Sequence, residues 1–248
     1  MISVTIVNKN GQRTLGKTLD ALQSFEEVLI LDTGSEDDSL EIARTYRNTR
    51  IEKTDFKGFG PLHNLAAAKA RFDWILSIDS DEVLSPELVQ EIHSLELKPK
   101  NVYSISLQNY YNGKWIRHCG WWPDRHVRLY NKKRTSFSSD FVHEKIISEK
   151  MKKVDLQAPA KHYSYHNLFD FLAKMQRYSD LFAEQNQGKK KSSPLKAIIH
   201  SFAAFFKTYV LKRGFLDGYE GFIIANYNAS TAFYKYLKLH ETNQKKRC

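Results

Sequence analysis

Cysteine is nearly missing from this chain: Cys119 and Cys248 are its only two among 248 residues. Two thiols give no disulfide framework, and a reducing compartment is the default expectation. Long apolar runs are missing too, since none reaches the ~20 residues that a membrane-spanning helix needs. Met1-Ile2-Ser3-Val4 leads straight into strand-like sequence without a charged n-region and an apolar h-region. No signal peptide is therefore expected, and a cytoplasmic location is. No G-x-G-x-x-G follows the first apolar run, which argues against dinucleotide binding. No nucleic-acid module is recognisable either, and Lys189-Lys190-Lys191 is too short a charge run to argue for one.

What is present is a hydrophobic fraction of 42%, enough for a substantial core, and a formal charge of +10 with a pI near 9.4. Such a balance points to an anionic partner. Ser3-Val4-Thr5-Ile6-Val7 reads as a buried strand, Leu15, Leu19 and Leu22 mark a helix face, and Val28-Leu29-Ile30-Leu31 is a second strand ending at Asp32. Ser35 and Asp38 have capping-box spacing for a helix carrying Leu40 and Ala43. Arg50-Ile51-Glu52 predicts a third strand, and an Ala-rich helix follows Gly58-Phe59-Gly60-Pro61. This alternation argues for an α/β fold with a parallel sheet.

The chain is organised around Asp73-Trp74-Ile75-Leu76-Ser77-Ile78-Asp79-Ser80-Asp81-Glu82, a short apolar run that ends in three carboxylates. A buried strand ending in acids places them at the carboxyl edge of the sheet, where open α/β sheets bind ligands. In extended chain Asp79 and Asp81 point the same way. Two such carboxylates repel unless a cation lies between them, and oxygen ligands suit Mg²⁺ or Mn²⁺. Ser85-Pro86 reads as N-cap and first helical residue, which puts the acids on a strand-to-helix turn.

Beyond residue 102 the grammar changes. Tyr103-Ser104-Ile105-Ser106-Leu107 alternates strictly, the mark of a half-exposed strand. Trp115, Trp121 and Trp122 suit either sugar stacking or a core hairpin. Arg128 falls on the polar face of the strand Val127–Tyr130, where a guanidinium can grip phosphate bidentately. In the last third, Leu195, Ile198, Ile199, Phe202, Phe205, Phe206 and Tyr209 share a helical face with Lys196, His200 and Lys207 opposite. Basic amphipathic helices of this kind lie in the interface of anionic membranes, or else pack on the rest of the protein or on a second subunit.

The ordered set of the Asn8/Asn10 loop, Leu31-Asp32-Thr33-Gly34-Ser35, Gly58-Phe59-Gly60…Asn64 and Asp79-Ser80-Asp81-Glu82 resembles the family 2 glycosyltransferases. The resemblance covers roughly the first two-thirds of the chain. It implies a GT-A fold, a Rossmann-like mixed sheet, mainly parallel, with flanking helices, to which a C-terminal α-helical extension is added. Residues 1–97 would form the nucleotide-sugar half, 98–166 the acceptor half and 167–248 the helical extension, a candidate for membrane association. By the same resemblance Asp32 binds the base or ribose, Asn64 lies in the donor site, and Asp79 and Asp81 hold a divalent metal on the diphosphate. His162 matches a third metal ligand of many such enzymes. Where the family usually carries Asn-Glu in its first loop, this chain has Asn10-Gly11.

Inverting transfer needs a base for the acceptor hydroxyl, and the candidates in the second half are Asp124, Asp140, His143 and Glu144. Gly120-Trp121-Trp122-Pro123-Asp124…Arg128-Leu129-Tyr130 followed by Val142-His143-Glu144 resembles a narrower branch, the bacterial β-1,4-glucosyltransferases that extend the lipopolysaccharide core. That resemblance puts Glu144 at the catalytic carboxylate, with Asp124 second. It implies UDP-glucose as donor and a heptose-bearing glycolipid as acceptor, while the basic amphipathic helices lead to the expectation of a peripheral place on the inner face of the cytoplasmic membrane. Two other classes remain: a nucleotidyltransferase, for which Asn8-Lys9-Asn10-Gly11 is a poor triphosphate loop, and a non-catalytic membrane-associated scaffold.

Overall fold

A computed structural model describes residues 1–140 and 144–245. His143, one of the candidate bases, and Cys248 lie outside the described residues. The elements are β1 (Ile2–Asn8), α1 (Leu15–Asp20), β2 (Glu27–Asp32), α2 (Ser39–Arg44), β3 (Thr49–Lys53), α3 (Phe59–Lys69), β4 (Trp74–Asp79) and β5 (Glu82–Leu84). They continue with α4 (Pro86–Ser94), β6 (Asn101–Tyr111), β7 (Lys114–Trp115), β8 (Asp124–Asn131), β9 (Lys152–Tyr165), α5 (Leu168–Asn186), α6 (Pro194–Phe206) and α7 (Tyr219–Lys245). The chain divides into two units, residues 1–107 with 124–163, and residues 108–123 with the chain from Ser164 onward.

In the first unit the strands run in the order β3-β2-β1-β4-β8-β6-β9-β5. β1 to β4 are mutually parallel, as the β-α alternation predicts. β8 joins β4 antiparallel, and β5 pairs antiparallel with β9, Glu82 opposite His162. The central strands are apolar on both faces because helices cover both. Val4, Ile6, Val28 and Ile30 meet Leu15, Leu19 and Phe25 on one side, and Leu29 and Leu31 meet Leu62 and Ala66 on the other. Each fully buried Leu or Ile in these layers contributes about 1.5–3 kcal/mol.

β6 departs from its expected half exposure: Ser104 and Ser106 are buried along with their apolar neighbours. Alternation in sequence reports polarity, and β6 lies inside the sheet between β8 and β9. There the Ser104 hydroxyl donates to Asp155 on β9, so a small polar residue is satisfied without water. The capping box at α2 is not formed either. Asp38 is the N-cap, without a side-chain cap, and Ser35 turns instead to Asp32.

Glu27, at the start of β2, is buried and ties the first three strands together. Its carboxylate accepts from the Ser3 hydroxyl at 2.5 Å, the Arg71 amide at 2.7 Å and the Arg50 guanidinium at 3.0 Å. Burial alone would raise this carboxyl, but those donors outweigh it and hold its pKa below the ordinary 4.5. A depressed folded pKa means stability that is complete above 4.5 and lost as pH falls through the folded value. Glu27→Ala is therefore expected to lose about 3 kcal/mol in urea unfolding at pH 7. The deficit should narrow on acidification below 4.5, because protonation removes the same interaction from the wild type.

The second unit is helical. α5 and α6 both pack on α7, α5 opening with an Asn167/Asp170 capping box and α6 with Ser193 as N-cap and Pro194 next. Its core joins Tyr111, Ile116, Cys119, Phe171 and Ile224, with Trp121 and Tyr165 stacked at 5.5 Å between ring centres. Trp115 meets Trp122 edge-on at 5.3 Å. Trp121 packs against this core, whereas Trp115 and Trp122 are half-buried and meet each other.

Candidate functional site

The acids of the organising stretch do lie at the carboxyl ends of the parallel strands, but not side by side. β4 stops at Asp79, Ser80 and Asp81 form a tight turn, and β5 starts at Glu82 before α4 begins. The period-two rule holds only for extended chain, and the turn breaks it. Asp79 faces Arg128 of β8 at 2.9 Å, whereas Asp81 faces His162 of β9, Oδ1 to Nε2 at 3.6 Å. The acids thus sit on a strand-turn-strand element rather than a strand-to-helix turn. Ser85 caps α4 as expected, accepting from the Leu88 amide.

Arg128 is no surface arginine. Its side chain is 11% exposed and is held between Asp79 and a fully buried Glu82. Burial opposes a charged guanidinium, but the two carboxylates outweigh it and raise its pKa further. The reciprocal effects differ. Burial favours the neutral form of both acids, yet Arg128, His63 and His162 bring Asp79 down to about 2. Glu82, more deeply buried and facing Asp79, is pushed up to about 6. The three groups form one ion cluster around the buried Arg128, whose removal would leave two neighbouring carboxylates uncompensated.

His162 is also largely buried. Burial works against its charge, but Asp81, Glu82 and Asp79 outweigh it and raise its pKa. Asp81 and His162 offer an oxygen and a nitrogen donor beside each other, a pair that suits Mn²⁺ or another divalent ion. Asp79 is committed to Arg128. Among the described residues no group of three or more His, Cys, Asp or Glu is arranged to hold a metal ion. The fit to a divalent cation is thus a two-donor fit, which leaves coordination positions for a ligand such as a diphosphate.

Asp32 ends β2 next to β1. Its Oδ1 accepts from Asn8 Nδ2 at 3.3 Å and Ser35 Oγ at 2.5 Å, and its Oδ2 from the Gly34 and Ser35 amides at 3.1 Å. Burial would raise it, but these bonds hold its pKa below the ordinary value. A carboxylate has about four lone-pair sites, and all are used inside the loop. Asp32 therefore shapes the loop, and a nucleoside hydroxyl reaching it would displace one of these donors.

Asn64 on α3 is engaged with backbone: it donates to the Phe137 carbonyl at 3.0 Å and accepts from the Phe137 amide at 2.9 Å. Gly60, in the first turn of the same helix, lies so close to the Ser138 and Asp140 carbonyls that any Cβ would overlap them. Together they dock residues 137–140 onto α3.

His63, near the start of α3, is buried and stacked on Phe137 at 4.4 Å. Its Nδ1 meets the Ser77 hydroxyl at 3.1 Å and its Nε2 lies 3.8 Å from Glu144 Oε1. Burial, despite the pull of Asp79, brings its pKa down to about 4, so it is neutral at pH 7. Asp124 stands at the start of β8, paired with His126 at 2.8 Å and 37% exposed. The structure thus gathers Asp79, Asp81, Glu82, Arg128, His63 and His162, with Glu144 beside His63. Sequence reasoning grouped Glu82 with the acids but assigned it nothing, and it passed over Ser77. The signal for both was closeness to Asp79 in the sequence, Ser77 on β4 and Glu82 at the start of β5.

Comparison with known proteins followed the same pattern. The family model for glycosyl transferase family 2 matches residues 3–153. An uncharacterized glycosyltransferase of Rickettsia typhi is 29% identical, over 99% of this chain and 89% of that protein. The lipopolysaccharide core biosynthesis glycosyltransferase LpsC of Rhizobium meliloti is 23% identical, over 97% of this chain and 92% of its own length. Among solved structures, S. aureus TarS 1–349 in complex with UDP-GlcNAc superposes with a TM-score of 0.50 at 14% identity, covering 99% of this chain and 91% of that one. That last likeness is one of fold.

Proposed function

The chain belongs to glycosyl transferase family 2 and has a GT-A fold, and from that premise we propose that it moves a hexose, glucose by preference, from a UDP-sugar to a glycolipid such as the lipopolysaccharide inner core, with inversion. The observation that carries this reading is the convergence of Asp79, Asp81, Glu82, Arg128 and His162 at the carboxyl end of β4. The relatives support the same direction, one by its role in lipopolysaccharide core biosynthesis and one by its complex with UDP-GlcNAc.

In this reading residues 1–97 hold the donor and 98–166 the acceptor. The Asp32 loop takes the nucleoside. Asp81 and His162, with Asp79 as a further carboxylate once Arg128 yields it, would hold a divalent cation. That cation offsets the charge that develops on a leaving diphosphate. Arg128 fixes Asp79 and Glu82 and keeps a positive charge at the strand ends. Glu144 takes the proton from the acceptor hydroxyl. The hydroxyl oxygen then bonds to the anomeric carbon, and the bond from that carbon to the diphosphate oxygen breaks with its electron pair on the diphosphate. Neutral His63 holds Glu144 without adding a cation that would weaken it as a base.

Calorimetry with UDP, with and without Mn²⁺, followed by a transfer assay from UDP-glucose to a heptose-terminated lipopolysaccharide core, tests the reading. Metal-dependent binding in the micromolar range and labelled product are expected. Failure to bind UDP under either condition would remove it.

A further inference from the structure

The helix α6 is packed the wrong way round for a soluble helix. Its small residues Ala197, Ala204 and, one turn on, Thr208 face inward, with Ala197 and Thr208 buried. Its bulky apolar side chains face out: Leu195 is 65% exposed, Ile198 57%, Ile199 58% and Phe202 73%. The spacing 195, 198, 199, 202, 206 is that of a single helical face. Phe205 and Tyr209, which the sequence places on the same face, turn aside instead and meet Phe222 of α7. The exposed surface continues past α6 through Val210 and Leu211 to Phe215 and Leu216. Contiguous apolar surface of this extent marks an interaction site.

Charge decides the kind of partner. Between residues 188 and 216 the chain carries seven lysines and arginines and no aspartate or glutamate. Lys191, Lys207 and Arg213 are exposed. A second copy of this chain would bring the same positive charge to the contact, and seven cations facing seven repel. An anionic lipid surface brings the opposite charge and accepts the aromatic and aliphatic side chains between its headgroups. Among the described residues no helix is long and apolar enough to cross a membrane, so the geometry is that of a helix lying in the interface plane.

We infer that the outer face of α6 and the turns after it, Leu195 to Leu216, form a monotopic docking surface for an anionic membrane. For its purpose the inference rests on the reading of a lipid-borne acceptor; its geometry stands without it. The experiment is flotation of the full chain with phosphatidylcholine vesicles, with and without phosphatidylglycerol. The proteins compared are the wild type, Ile199→Glu/Phe202→Glu and Lys191→Gln/Lys207→Gln. All the replaced side chains are exposed, so the variants should keep the wild-type circular dichroism and UDP binding.

The wild type is expected to float with the anionic vesicles and not with the neutral ones. The Glu pair should lower partition at least tenfold, and each neutralised lysine about fivefold. The proposal is overturned by a wild type that stays unbound, or by variants that float equally well. A dimer in light scattering that the Glu pair splits, without flotation, overturns it in favour of a second copy. Flotation needs neither donor nor acceptor, so loss of the transferase reading, seen as absent UDP binding, is scored separately on the same samples.

Discussion

Replacing Glu144 with glutamine is expected to lower kcat about a thousandfold while leaving UDP affinity within a factor of two, because a positioned general base supplies roughly 10²–10⁴ in rate. Glutamine keeps the shape and the contact to His63 but cannot accept a proton. The environment suits a base. The Glu144 side chain is 21% exposed, so it can reach a ligand, and its neighbour His63 is neutral at pH 7. Asp124, the rival, already accepts from His126 at 2.8 Å. Steady-state kinetics on Glu144→Gln and Asp124→Asn, with calorimetry as control, separates them. A thousandfold loss in the Asp124 variant with near-normal turnover in the other would transfer the role.

The second large effect is expected at the acidic turn. Asp81→Ala should abolish the Mn²⁺-dependent part of UDP binding, weakening it about a hundredfold, the equivalent of losing one charge-assisted bond of ~3 kcal/mol. Its partner His162 then loses the charge that raises its pKa. Asp79→Ala should do more than that. Arg128 would keep only Glu82 and lose one of its two charge-assisted bonds, so thermal stability falls along with binding. Titration of both variants with UDP in Mn²⁺ and in chelator, beside a melting curve, reads the two effects apart. Unchanged Mn²⁺-dependent affinity in Asp81→Ala would remove that residue from the cation site.

Much of the first unit was legible because its signals are local. β1, β2 and β4 are runs of branched residues long enough for a strand, and Ser85-Pro86 announces α4 unaided. What escaped depends on partners far away in the chain. Arg128 reads as polar-face residue until Asp79 and Glu82 are brought to it across β4 and β8. Ser104 looks exposed until Asp155 arrives on β9. His63 looks idle because Phe137 and Ser77, which bury it, belong to other elements. Most of the apolar stripe on α6 was legible, Phe205 and Tyr209 excepted because they turn to Phe222; that its small residues would take the inner side was not, since this depends on how closely α7 approaches.

The strand order bears on how the protein is made. β1, β2 and β3 pair in sequence order and β4 crosses back to β1, so all four have their parallel partners before any later strand is made. β5 follows β4 directly in the chain yet finds its partner only in β9, the last strand of its unit to be synthesised. Until β8 and β9 emerge, Asp79, Asp81 and Glu82 have neither Arg128 nor His162, and the three carboxylates repel one another in water. The nascent edge is thus held open by its own charge. A chain made only as far as β7 therefore carries the three carboxylates without Arg128 and His162, and the site is complete only once β9 is in place.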